Sequence, residues 1–103
     1  MKWKFIGSAK STDEISLSEI TFNELYICAK IEEPTVPLLF SNSISKDFIT
    51  EKDSYFQVSG NYAISSYGTS LVLTVNTSRI ILYGAYHNHN DMSAYVTYNV
   101  YYR

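Results

Sequence analysis

Cysteine is almost missing: among 103 residues only Cys28 carries a thiol. An intramolecular disulfide and a cysteine-only zinc centre are excluded on that count. Cys28 lies in the middle of an apolar stretch and reads as an inert, buried thiol. Charge is also scarce, at 17% of residues against the ~25% usual in soluble domains. Eight Lys and Arg stand against ten Asp and Glu, a net charge of −2. Nucleic-acid binding through phosphate neutralisation needs a basic stripe, and the sequence has none. No run approaches the ~20 apolar residues of a membrane helix, so no membrane insertion is expected. Residues 1–9 lack the apolar centre of a secretory signal peptide. Histidine is confined to His87 and His89. No serine sits in a G-x-S-x-G setting, and the pairs Asp13/Glu14 and Glu32/Glu33 fall in polar connections. A nucleophile needs a base and an orienting group, so the chain reads as a non-enzyme without a cofactor.

What is abundant is hydrophobic and aromatic. Hydrophobic residues make up 46% of the chain and aromatics 16%, ten of them tyrosine. Such a composition excludes intrinsic disorder, and the length allows one core and one domain, residues 1–103. Starting at Met1, the sequence reads as a complete small gene product. Period-two alternation dominates and helical periodicity is nearly absent. Trp3, Phe5 and Gly7 alternate with Lys2, Lys4 and Ile6, after which Ser8–Glu14 reads as a polar connection. Ile15 and Leu17 open a short extended piece. Leu25, Ile27, Ala29 and Ile31 oppose Tyr26, Cys28 and Lys30 in a strong half-buried strand. The segment 32–37, with two prolines, ends that strand, and Leu38–Ser41 suggests a brief one. Ser43–Glu51 is the one place for a short helical turn, with Ser43 as cap and Phe48 packed inward.

Strands are further expected over Ser54–Ser59, Tyr62–Ser66, Ser70–Asn76 and Arg79–Tyr86, with turns at Gly60-Asn61 and Tyr67–Thr69. Gly84 marks a bulge or a close backbone approach. A final strand over Met92–Arg103 places Tyr95 and Tyr101 on one face, opposite Val96, Tyr98 and Val100. About eight short strands with turns every 8–12 residues point to an all-β fold, an antiparallel, jelly-roll-like β-sandwich. The expected core comprises Leu25, Ile27, Ala29, Leu71, Leu73, Val75, Ile80, Leu82, Val96, Tyr98 and Val100.

His87-x-His89 is the sharpest local signal. On an extended segment both imidazoles share a face, with Asp91 beyond them, and two histidines and a carboxylate can hold a divalent metal. The same pentapeptide, HNHND, also reads as a polar hairpin loop that binds no metal, because Asn and Asp tolerate left-handed backbone. Recognition is expected on this turn and the strand after it, through Tyr86, His87, His89, Asp91, Tyr95 and Tyr101. Tyrosine offers contact area at little rotamer cost, and loops on a rigid sheet carry recognition without disturbing the core.

Three segments carry a family likeness: Trp3–Ser8 (WKFIGS), Phe22–Ala29 (FNELYICA) and Val96–Arg103 (VTYNVYYR). Together they resemble small phage and prophage proteins of gut Firmicutes, and the C-terminal, receptor-binding-like β-domains of phage tail fibres. The resemblance implies a non-enzymatic, phage-encoded structural or binding protein, located in the virion or the host cytoplasm. Sparse charge and many tyrosines leave more apolar surface than so small a core can cover. The expected partner is therefore the chain itself, as a homo-oligomer and foremost a trimer, with a host surface glycan or host protein as the further contact. Two other classes fit the same features: an intracellular inhibitor of a host defence protein, and a carbohydrate-binding module, which needs an exposed aromatic platform.

Overall fold

Alternating β-branched and aromatic residues leave this chain little alternative to pleated structure, because only a strand sorts period-two sequences onto one wet and one dry face. The computed structural model describes residues 2–32, 37–59 and 68–103. Its strands are β1 (Lys4–Lys10), β2 (Glu14–Ser16), β3 (Glu24–Ile31), β4 (Leu38–Ser45), β5 (Ser54–Gln57), β6 (Thr69–Val75), β7 (Arg79–His87), β8 (Asn90–Asp91) and β9 (Val96–Tyr102). They form two antiparallel sheets, one ordered β1-β9-β3-β4 and the other β2-β7-β6-β5, with β8 paired to β7. The protein is thus the expected all-β sandwich. Its jelly-roll character lies in the nested long-range pairs β1/β9 and β2/β7, while β3/β4 and β5/β6/β7 close by local connections. The strand expected at Tyr62–Ser66, with its flanking Gly60-Asn61 turn and Tyr67, lies outside the described residues.

Every residue expected in the core is buried, and Leu17, Phe22, Ile31 and Ala85 join them. Tyr98 ties the two layers together. In the first sheet its cross-strand neighbours are Ala9 on β1 and Ala29 on β3. Those two small side chains leave room for one large ring on the inner face. The ring reaches across the core, and its hydroxyl is placed to donate to the Asp13 carbonyl at 3.1 Å or the Ile80 carbonyl at 3.3 Å. A buried phenol with acceptors in reach avoids the penalty of an unpaired polar group. Burial, and then the nearby charges of Asp13 and Glu14, push its pKa far above the ordinary tyrosine value.

Local structure corrects the sequence reading at several points. β1 continues to Lys10 through the supposed connection, because Ser8–Lys10 pair with Thr97–Asn99 of β9. A bulge between Phe5 and Gly7 breaks the alternation there, so Phe5 stays exposed while Ala9 is buried. β4 is twice the expected length and pairs β3 along its whole extent. The helical turn is one 3-10 turn, Lys46–Phe48, capped by the Ser45 hydroxyl rather than by Ser43. Phe48 points outward, 77% exposed; Ile49 is the residue that packs inward. Cys28 faces outward on β3, half-buried, with Ser41 and Asn99 as cross-strand neighbours. The final strand starts only at Val96, because Ser93–Tyr95 form a second 3-10 turn.

Replacing Tyr98 with Phe is expected to cost about 1 kcal/mol at neutral pH, the net worth of one buried hydrogen bond. The unfolded phenol ionises near pH ~10 whereas the folded one keeps its proton. Above that pH the unfolded state therefore holds fewer protons, and stability falls by up to about 1.4 kcal/mol per pH unit until the folded phenol also ionises. Urea midpoints measured from about pH 9 to 11.5 should show this fall in the parent, and a shallower one in Tyr98→Phe.

Candidate functional site

The expected recognition segment is a tight hairpin. β7 and β8 pair through His87↔Asn90, leaving Asn88 and His89 as a two-residue turn. Both turn residues have positive φ, 48° and 71°, the requirement of the primed turn that matches strand twist. The segment is therefore not extended at the H-x-H pair, and the alternation that would have put both imidazoles on one face is absent. His87 is engaged locally: Nδ1 lies 2.8 Å from the Thr69 hydroxyl and Nε2 3.4 Å from the Asn88 amide. Asp91 accepts from the Ser93 backbone N–H at 2.9 Å, making an Asx turn into the second 3-10 turn. That backbone bond, and then one from the Ser93 side chain, hold the Asp91 carboxyl below its ordinary pKa. Among the described residues no three His, Cys, Asp or Glu side chains converge as a metal site would require.

Of the six residues singled out from sequence, Tyr86, His87, His89 and Asp91 share the β7–β8 hairpin, while Tyr95 and Tyr101 stand on other elements. Tyr86 lies on β7, in the second sheet. Tyr95 sits in the 3-10 turn, 55% exposed, rather than on a strand face beside Tyr101. Tyr101 is on the outer face of the first sheet, 5.5 Å from the Phe5 ring and 6.2 Å from Tyr26. Trp3 extends that row, 5.4 Å from Tyr26, and the Arg103 guanidinium covers it at 4.2 Å from the ring centroid. Arg103 is held in turn by Glu24 at 2.8 Å. These rings and charges satisfy one another across β1, β9 and β3, and so act as a brace.

The second sheet carries a more open arrangement. Tyr55 on β5 and Tyr83 on β7 stand 68% and 59% exposed, with ring centroids 4.3 Å apart and planes tilted by 41°. Val72 of β6, between their strands, is buried, and Gln57 lies two residues along from Tyr55. Together they line a cleft of about 370 Å³. The register explains Tyr83. Val72 pairs Gly84 and Leu73 pairs Leu82, leaving Tyr83 as the extra residue of a bulge. A bulge puts two residues opposite one and re-aims their side chains. Gly84 is the second of that pair, and a Cβ there would come within 3.4 Å of the Tyr86 ring. The hydrogen bond with Tyr83, and then its charge, keep the Tyr55 phenol above its usual pKa, so it is neutral at physiological pH.

Sequence reasoning missed this pair. Arg79–Tyr86 reads as one unbroken strand, and only Gly84 signals that its outward residues are displaced. Tyr55 had no signal beyond its place in an alternating run. The described lining residues include no carboxylate, imidazole or thiol, so the cleft is equipped for stacking and hydrogen bonding. A second depression of about 280 Å³ lies on the outer face of the first sheet, among Cys28, Lys30, Leu39, Thr97 and Asn99.

No protein-family model, curated protein or solved structure matches this chain. The likeness to phage tail-fibre domains therefore gains no support from a relative. Among the described residues no helix is long and apolar enough to cross a membrane.

One polar atom near the cleft is anomalous. Ser70 precedes Val72 by two residues on the same face of β6, is 1% exposed, and its hydroxyl has no hydrogen-bond partner among the described residues. Burying such a group without a partner costs about 1–3 kcal/mol. Ser70→Ala is accordingly expected to hold or raise stability, by up to about 1 kcal/mol, in equilibrium unfolding. A clear loss of stability would show that the hydroxyl is satisfied in solution.

Proposed function

We propose that the chain is a non-catalytic recognition domain that takes a sugar ring in the Tyr55–Tyr83 cleft. The geometry of that pair carries the reading. Two phenol rings packed against each other at 4.3 Å, each more than half exposed over an aliphatic floor, present their outer faces and edges to the C–H face of a pyranose. The two hydroxyls and Gln57 supply polar contacts for its rim. Ligand clefts have this make-up, mostly apolar with a few placed polar groups. A volume of about 370 Å³ suits one ring or the end of a chain. A protein partner would instead need ~800 Å² of surface on each side. The tail-fibre likeness is consistent with this use, since a receptor-binding domain meets a host envelope coated in polysaccharide. On this reading the protein is phage-encoded and virion-associated, and works as a homo-oligomer.

The test is a glycan panel that includes bacterial surface polysaccharides, followed by calorimetric titration of any ligand retained. Tyr55→Ala and Tyr83→Ala should each weaken binding at least tenfold, the ~1.4 kcal/mol or more expected of an aromatic anchor. Both rings are exposed, so stability should move by no more than about 0.5 kcal/mol. Tyr95→Ala, on an exposed ring outside the cleft, should leave affinity unchanged. Binding that survives both cleft substitutions, or no glycan bound at millimolar protein, would overturn the reading.

A further inference from the structure

Among the described residues the two sheets end in the strands β1, β4, β2 and β5, and three of these four are blunted in the usual ways. β1 carries Lys4 and Lys10 at its ends and a bulge between Phe5 and Gly7. β2 has three residues, with Glu14 held by Arg79 at 3.2 Å. β5 has four, preceded by Lys52 and Asp53. Short length, charge and bulges are the devices by which proteins keep edges from pairing. β4 has none of them. It runs eight residues, Leu38–Ser45, with no charged residue, no proline and no register shift against β3.

Its free side can be assigned from the ladder. The Lys46 N–H bonds to the Asn23 carbonyl at 2.8 Å. In an antiparallel pair alternate residues face the neighbour, so the even-numbered N–H groups of β4 point to β3 and the odd-numbered ones point away. Asn42 caps one of these, accepting from the Ser43 N–H at 2.9 Å, while its amide reaches the Gln57 carbonyl at 3.3 Å. Leu39, Ser41 and Ser45 keep outward N–H groups, and among the described residues no strand pairs that side. Beside them the Leu39 side chain is 75% exposed, the most exposed aliphatic residue among the large hydrophobics.

We infer that β4 is a self-association edge, where two copies of this chain pair β4 to β4 antiparallel about a twofold axis. The occupant follows from the edge itself. An uncharged strand meets its own copy without like-charge repulsion, and an isologous interface needs one self-compatible surface. The serines at 41, 43 and 45 keep side-chain bulk low on the outer face, so a second backbone can approach. Strand addition supplies main-chain hydrogen bonds and leaves side chains to set register. The result joins two four-stranded sheets into one of eight strands and covers Leu39. Twofold pairing also replaces the threefold assembly expected from composition. The axis is normal to the sheet, so the second sheets of both copies lie on the same side and their tyrosine clefts open in one direction. The interface itself does not depend on what those clefts bind.

Sedimentation velocity over a micromolar to millimolar range, with amide hydrogen exchange at both ends of it, decides the matter. The parent should sediment as a dimer at the upper end. The Leu39, Ser41 and Ser45 amides should gain protection with concentration, while outward amides of β1 do not. Leu39→Lys and Ser43→Lys replace exposed side chains, so both should fold with unchanged circular dichroism and thermal midpoint. Each should weaken self-association at least tenfold. A parent that remains monomeric throughout, a trimer, or a dimer that both lysine variants leave intact would overturn the proposal.

Discussion

One phenol ring sets the spacing of the two sheets. Tyr98 stands on one of the two inner strands of the first sheet and finds its hydrogen-bond acceptors on the far side of the core, at Asp13 and Ile80. A tyrosine that long fits only because Ala9 and Ala29 flank it on β1 and β3. Leu25, Ile27 and Val100 then fill the first sheet's inner face around it, against Leu71, Leu73 and Ile80 from the second. Aliphatic packing of this kind is permissive about register, because many combinations of Leu, Ile and Val fill similar volume. A hydroxyl with acceptors at fixed places is not. Tyr98 fixes which face of β9 turns inward and how far β7 lies from it.

The core was legible because period two is hard to counterfeit. In β3 and β9, where pairing is regular, every inward position follows from alternation alone. Reading failed where something other than alternation set the geometry. Ser8–Lys10 looked like a loop because its residues are small or polar, yet pairing with β9 recruits them as an edge strand. The sequence predicts too short a β4 for the same reason: SNS has poor strand propensity, and the β3 ladder overrides it. Period two continues unbroken through Met92–Val96 and so predicts a strand face for Tyr95. There Asp91 captures the Ser93 N–H and bends the chain into a 3-10 turn. Propensity is a local quantity, and each of these outcomes is decided by a partner far away in sequence or by a side-chain cap.

The candidate site shows the same limit from the other direction. The polar hairpin invites a functional reading because loops commonly carry recognition. The hairpin spends its polar groups on near neighbours: His87 on Thr69 and Asn88, Asp91 on Ser93. The exposed rings stand instead on strands, displaced by a single extra residue at Tyr83. Side chains borne by a sheet are held more rigidly than those on a loop, so less ordering is left to be done when something settles against them. The signal was a glycine in an otherwise bulky strand, legible as a bulge but silent about which neighbour it would turn outward.

The position of β9 has a consequence for how the nascent chain becomes a protein. It is the last strand in sequence, and it lies between β1 and β3 in the first sheet. Lys4 pairs with Tyr102, so the loop to be closed spans nearly everything between them. The β3–β4 pair and the β5–β6–β7 ladder can assemble from neighbours as they leave the ribosome. β1 cannot, because β9, its one ladder partner among the described residues, is synthesised after the other strands. Until then β1 has no sheet to join, β3 is paired on one side alone, and the brace around Trp3 lacks Arg103. Such closure is slow and leaves unpaired edges open in the meantime. The fold is therefore committed in one late step, and a chain cut short within β9 loses the middle of a sheet rather than a fringe.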